Sequence, residues 1–195
     1  MIEYRVTYLN AKAGSIPTSV LPRLMTAVFA NNFVLTRIDG FMGQFSLSYI
    51  SDSRSRKVTN LLKLFDKRYV YYGKAGELPV CMKPFKSLKI KEDSSDIKFA
   101  GFNCRKLMLS SSDYHDFSIL CTDQIAVNIP NESTPFNAIN DVLLKFNIRL
   151  SLLDMQLNTS RYAMEDVSWS FFNVPSDYVV VSREKMENVI NEIFK

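Results

Sequence analysis

Residues 144–157 read Leu144-Lys145-Phe146-Asn147-Ile148-Arg149-Leu150-Ser151-Leu152-Leu153-Asp154-Met155-Gln156-Leu157. Leu144, Phe146, Ile148 and Leu150 alternate with polar residues, the period-two pattern of a strand with one face against a core. The register then flips, so that Met155 and Leu157 carry the apolar face. That flip predicts a turn near residues 152–154 joining two antiparallel strands.

The same pattern recurs on both sides. Ile2 to Leu9 alternates from the start, and Phe33 to Ile38 leads through Asp39-Gly40, a short hairpin signal, into 41–50. In that second arm Phe45, Leu47 and Tyr49 take one face, with Ser46 and Ser48 on the other. Further strands are expected at 86–91, 105–110, 117–122, 167–174 and 178–181, with Ser94-Ser95 and Ser110-Ser111-Ser112 as loop material. Two stretches are ambiguous. Residues 18–31 have helical length but contain Pro22, and 57–72 reads either as an amphipathic helix or as a hairpin turning at Asp66-Lys67. At the C-terminus the pattern changes to helical. Ser182 offers an N-cap, Glu184 suits the positive end of the dipole, and Met186, Val189, Ile190, Ile193 and Phe194 form one stripe that must lie on the sheet. The expectation is a single, β-rich domain over residues 1–195.

Composition narrows the function classes. Hydrophobic residues at 47% and charged residues at 23% exclude disorder, collagen and coiled coil. No apolar run approaches the ~20 residues of a membrane helix. The net charge of +4 is too small to argue for nucleic acid, which is disfavoured as a partner. The charge is uneven, however. Residues 51–91 hold eleven Lys/Arg against three acids, and such a region could face anionic lipid headgroups. Tyr69, Tyr71 and Tyr72 lie among these charges, as in single-stranded nucleic-acid binders, but a solvated sheet face with lysine-protected edges accounts for the pattern as well.

Catalytic signatures are sparse. His115 is the single imidazole, in Asp113-Tyr114-His115-Asp116, whose composition suggests a solvated hairpin loop. The six glycines form neither GxGxxG nor a Walker pattern, and the carboxylates sit mostly in turns and on the terminal helix. The reading is non-enzymatic, with no metal or cofactor. Cys81, Cys104 and Cys121 are odd in number and widely spaced, so they read best as small buried hydrophobes, although one disulfide plus a free thiol stays open. The sequons at Asn131 and Asn158 are short enough to arise by chance. An alternating strand directly follows Met1 where a signal peptide would stand, so the chain is either cytoplasmic or recorded after removal of an export signal.

Four segments, in order, resemble an uncharacterised envelope-protein family of Bacteroidetes related to the lipoprotein carrier LolA and its outer-membrane acceptor LolB. They are Ile97-Lys98-Phe99-Ala100-Gly101-Phe102-Asn103-Cys104-Arg105-Lys106; Cys121-Thr122-Asp123-Gln124-Ile125; Thr134-Pro135-Phe136 with Val142-Leu143-Leu144-Lys145-Phe146; and Phe171-Phe172-Asn173-Val174-Pro175-Ser176-Asp177-Tyr178 with Ser182-Arg183-Glu184-Lys185-Met186. Asp141 stands where the family's strand has Gly. The first eighty residues match more loosely, chiefly at 41–45 and 67–72. The resemblance implies an α+β, β-rich fold: a curved antiparallel sheet forming an incomplete half-barrel covered by helices. It assigns both ambiguous stretches to strand. It also implies an apolar concavity for a lipid, an acyl chain or an acylated protein segment, with Leu144, Phe146, Ile148, Met155, Leu157, Trp169 and Phe171 as candidate lining residues. Plain hydrophobic core competes for the same positions. The implied location is periplasmic or outer-membrane-associated, tethered through a lipidated cysteine upstream of Met1. The rival function is an envelope interaction or structural module whose concavity is filled by its own side chains.

Overall fold

The computed structural model describes residues 1–10 and 21–194. Alternating segments become strands: β1 (Ile2–Tyr8), β2 (Leu24–Ala30), β3 (Phe33–Gly40), β4 (Phe45–Asp52), β5 (Lys57–Leu64), β6 (Lys67–Tyr72), β7 (Lys89–Phe99), β8 (Phe102–Ser111), β9 (Tyr114–Thr122), β10 (Val142–Leu150), β11 (Leu153–Tyr162) and β12 (Val179–Val180). They form one sheet in the order β12-β6-β5-β4-β3-β2-β1-β11-β10-β9-β8-β7, antiparallel throughout except for the short parallel pair β12–β6. The chain builds two meanders, β2 to β6 and β7 to β11, and β1 joins them by pairing with β2 and β11. The outermost strands, β12 and β7, do not pair, so the sheet is unclosed.

Curvature follows from which side chains meet. Strands β4 and β10 are five positions apart, about 24 Å in a flat sheet. Nevertheless Tyr49 of β4 and Phe146 of β10 line the same cavity. The inner face packs into one core with Met186, Ile190 and Phe194 of the single helix among the described residues, α1 (Arg183–Ile193). Ser182 caps α1 by accepting from the Lys185 backbone N–H, as its position predicts. One helix, not several, therefore covers the concave side. Two loops do the rest. Residues 73–88 cross from β6 to β7, and residues 123–141 connect β9 to β10.

The 73–88 crossing is tied to both wings. Val80 donates its N–H to Asn60 Oδ1 at 2.9 Å and accepts from the Tyr49 hydroxyl at 2.8 Å, while Ser151 N–H donates to Cys81 O at 2.8 Å. Carboxylates hold its ends. Glu77 accepts from the Tyr71 hydroxyl and pairs with Arg183 at 2.9 Å. Asp113 accepts from the Lys86 N–H at 2.8 Å and pairs with Arg149 at 3.0 Å, and the Arg149 guanidinium lies over Phe85 and also donates to Pro84 O. The Ser111 hydroxyl, then the Lys86 N–H and Arg149, hold the Asp113 carboxyl far below its ordinary value. Burial pushes the Glu77 carboxyl up, but the Lys74 N–H, the Tyr71 hydroxyl and Arg183 outweigh it and leave it below 4.5. The unfolded chain takes up these protons at ordinary carboxylate values, 4.5 and 3.8, whereas the folded chain resists until lower pH. Their contribution is therefore complete above pH 4.5 and is lost as pH falls through the folded-state values. Urea titrations at stepped pH should show a stability that holds from pH 7 to about 5 and declines below about 4, with a shallower decline in Asp113→Asn. Equal slopes in both proteins would remove Asp113 from this account.

Several expectations are corrected. The β3–β4 reversal lies at Phe41–Gly43, not Asp39-Gly40, because both of those residues still pair within the ladder. Residues 57–72 form the expected hairpin, turning one residue early with Phe65 at positive φ. The β10–β11 turn likewise comes one residue early, at 151–152. Of 18–31, residues 24–30 are strand, and 18–20 lie outside the described residues. Ser94-Ser95 is not loop but lies in β7, where the pairing slips between Asp93 and Ile97. The expected strand at 167–174 is instead a short turn of 3-10 helix, Trp169–Phe172, on the outer face, and 178–181 contributes only Val179–Val180. There Phe172, Val174 and Tyr178 cover a second apolar cluster, Val28, Leu35, Ile50, Leu61 and Val70. This cover explains why Ser46 and Ser48, expected to face solvent, are buried.

Candidate functional site

Between the inner face of the sheet and the two loops lies a crevice of about 70 Å³. Its floor comes from Tyr4, Met25, Ala27, Ile38, Phe146 and Ile148, and its roof from Pro79 and Met82 of one loop and 130–134 of the other. Alternation places these floor residues inward, because their strands present every second side chain to the core. The 130–134 roof folds around Asn131, whose side-chain amide donates to Ile139 O at 2.6 Å and Asp141 O at 2.9 Å. Asn131 is buried and its amide committed, so the sequon at this residue presents no free acceptor in the fold.

The crevice carries little chemistry. Tyr4 and Tyr49 donate their hydroxyls to Leu143 O and Val80 O, both at 2.8 Å, and burial raises both phenols well above their ordinary value, leaving them neutral. His115 sits exposed on β9, outside the crevice and within a strand rather than in the loop expected for it. Among the described residues no three His, Cys, Asp or Glu side chains are grouped to hold a metal. The arrangement can exclude water and seat an apolar group; its polar lining includes Ser51, Ser133 and Thr134, with no charged side chain among the described residues that line it.

The structure separates the seven expected lining residues. Phe146 and Ile148 line the crevice. Leu144, Met155 and Leu157 are fully buried in the surrounding core, with Met155 and Leu157 directly opposite Ile148 and Phe146 on β11. Trp169 and Phe171 lie on the opposite side of the sheet and are about half exposed, 54% and 53%. The strand expected at 167–174 would have turned them inward. Contributions from β2, β3 and both loops were missed. Met25 and Ala27 fell in a stretch read as ambiguous, and the loops carry no periodicity.

All three cysteines are free and buried. Burial pushes the Cys81 and Cys121 thiols up to about 12 and raises Cys104 as well. The thiolate is the reactive form, so a disulfide-exchange reagent at pH 8 should titrate the native thiols slowly and all three at once in denaturant. Rapid native reaction of three thiols would contradict this packing.

No protein-family model matches the chain, and no curated protein matches it. The segments carrying the family resemblance fall on the β7–β8 hairpin, the end of β9, the start of β10, the outer-face turn and the start of α1. Among the described residues, no helix is long and apolar enough to cross a membrane.

Proposed function

We propose that this protein is a non-enzymatic envelope protein that holds an acyl chain, a lipid or another apolar ligand in the concave face of its sheet, as its resemblance to the uncharacterised envelope-protein family related to LolA and LolB implies. The supporting observation is the crevice, which is apolar and lies between the inner face of the sheet and the two loops. Magnitude limits the fit. At ~10–15 Å³ of such space per water-sized group, about five methylenes enter the crevice as it stands. Burying five contributes about 4 kcal/mol, equivalent to a millimolar dissociation constant. Tighter binding of a longer chain therefore requires the 79–82 and 130–134 roofs to lift.

The proposed setting is periplasmic or outer-membrane-associated, with a cytoplasmic location as the alternative. Headgroup contact by the basic region would use one end of the sheet. There Met42 and Phe65 project from the β3–β4 and β5–β6 turns in left-handed backbone, with Lys63 donating to Gly43 O beside them. The eleven cations do not form one patch, because Lys57 and Lys67 lie at opposite ends of this hairpin, about 20 Å apart.

The second reading, an interaction or structural module with a self-filled hollow, is favoured by Phe85, Phe117 and Phe136, whose rings occupy the space beside Phe146. Native mass spectrometry after mild extraction and titration with a fluorescent dodecanoate analogue separate the two. Co-purifying lipid-sized mass and saturable probe binding, lost in Ala27→Phe with folding retained, support the carrier. An empty chain whose probe signal is unchanged by Ala27→Phe supports the module.

A further inference from the structure

The outer face of the sheet holds a second pocket, of about 340 Å³, between strands β3 to β5 and the overlying 170–178 segment. It is separate from the crevice and independent of the acyl-chain reading. Register fixes its chemistry. Arg37 lies opposite Ser48, and Lys63 lies opposite both Ser46 and Arg68. Directly opposed side chains are ~5 Å apart at Cβ, and like charges so placed repel. The sheet thus gathers Arg37, Lys63 and Arg68 around two small hydroxyl side chains on its outer face.

Two carboxylates pair with these cations, and Asp39 lies directly opposite Ser46, so each offsets part of the charge. Asp39 takes Nε of Arg37 at 2.9 Å, and Asp177 takes Nε of Arg68 at 3.0 Å. Each of these contacts engages one edge of its guanidinium, so the Arg37 terminal nitrogens are left for another acceptor. The roof adds further donors, Ser170, Asn173 and the Tyr178 hydroxyl. Ser46 and Ser48 decide what fits. Leu35 and Leu61 give the pocket an apolar side, and the serines floor the rest of it with hydroxyls between two cations. A tetrahedral oxyanion matches this arrangement, because it accepts from hydroxyl, amide and guanidinium donors together.

We propose that this outer pocket binds a phosphate group, with Arg37 and Lys63 supplying charge and Ser46 and Ser48 supplying hydroxyl donors. The source is either a lipid headgroup or a soluble phosphate ester. The test uses the full chain, titrated by calorimetry and amide NMR with inorganic phosphate and glycerol 3-phosphate, and by sedimentation with phosphatidylglycerol–phosphatidylcholine vesicles. The variants are Arg37→Gln/Lys63→Gln, Ser48→Val, and a charge-matched control, Lys57→Gln/Lys74→Gln, in which Lys57 lies at the other end of β5. Soluble phosphate binding that shifts amides of 46–48 and 170–173, and weakens about tenfold or more in both pocket variants but not in the control, supports the site and a soluble source. Vesicle binding alone, with the same variant pattern, supports the site and a headgroup source. Absence of binding to all three probes overturns the proposal. So does an equal loss in the control, or unchanged binding in Ser48→Val, either of which reports net charge only.

Discussion

Phe136→Ala is expected to lower unfolding stability by about 3–5 kcal/mol, the usual cost of emptying a large aromatic site in a packed core. Phe136 is 1% exposed although it stands on a loop. Its ring stacks on Phe85 at 5.6 Å and meets Phe117 and Phe146 at 6.3 and 6.2 Å. The loop cannot follow the lost ring inward, because Asn131 binds Ile139 O and Asp141 O on either side, so the vacated space persists. A fall in the urea midpoint without a change of slope would report this loss, and Phe136→Leu, which keeps part of the volume, should lose less. The vacated space adjoins Phe146, which lines the crevice. The same variant should therefore bind the dodecanoate probe more tightly if the crevice is a ligand site. A destabilised variant with unchanged probe binding would leave Phe136 as packing alone and weaken the carrier reading.

How much of this could be read in advance depended on periodicity. The β10–β11 hairpin was legible to within one residue, because Leu144 to Leu157 carries an unbroken alternation whose flip marks the turn. The Ser182 cap and the Met186, Ile190, Phe194 stripe were legible because capping and the 3.6-residue repeat are local. Lys57 to Tyr72 satisfied both helical and strand templates, and long-range pairing of β5 with β4 decided it. Residues 167–174 misled for a related reason. They are apolar because they cover Val28, Leu35 and Leu61 from outside, and side-chain character alone does not distinguish such a cover from a strand. The candidate site was half legible. Phe146 and Ile148 follow from alternation, whereas the roof depends on non-periodic loops placed by single hydrogen bonds. The sequence does carry one sign of it: in Val58-Thr59-Asn60-Leu61-Leu62, Asn60 occupies an inward position between two aliphatics.

That asparagine should be a sensitive polar position in the fold. Asn60 is 1% exposed; its amide donates to Val58 O and Tyr71 O at 3.1 and 3.2 Å, and its oxygen accepts from Val80 N–H. Asn60→Ala leaves the Val80 N–H without its acceptor, whereas Val58 O keeps the Gly73 N–H, and at ~1–3 kcal/mol for a buried group left unsatisfied the expected loss is about 1–3 kcal/mol. Because Val80 anchors the 73–88 crossing, the crevice roof at Pro79 and Met82 should loosen with it, seen as faster amide exchange across that loop. Asn60→Asp gives the sharper result. The new carboxylate can still accept from Val80, but it faces two carbonyl acceptors in a dry site, which favours its protonated form and raises its pKa above the unfolded value. The stability lost at pH 7 should then be regained in part as pH falls through that raised value, the reverse of the decline expected for the unmodified chain. If Asn60→Asp instead tracks the unmodified protein at every pH, water reaches this position, and the crossing is not held in the way its hydrogen bonds indicate.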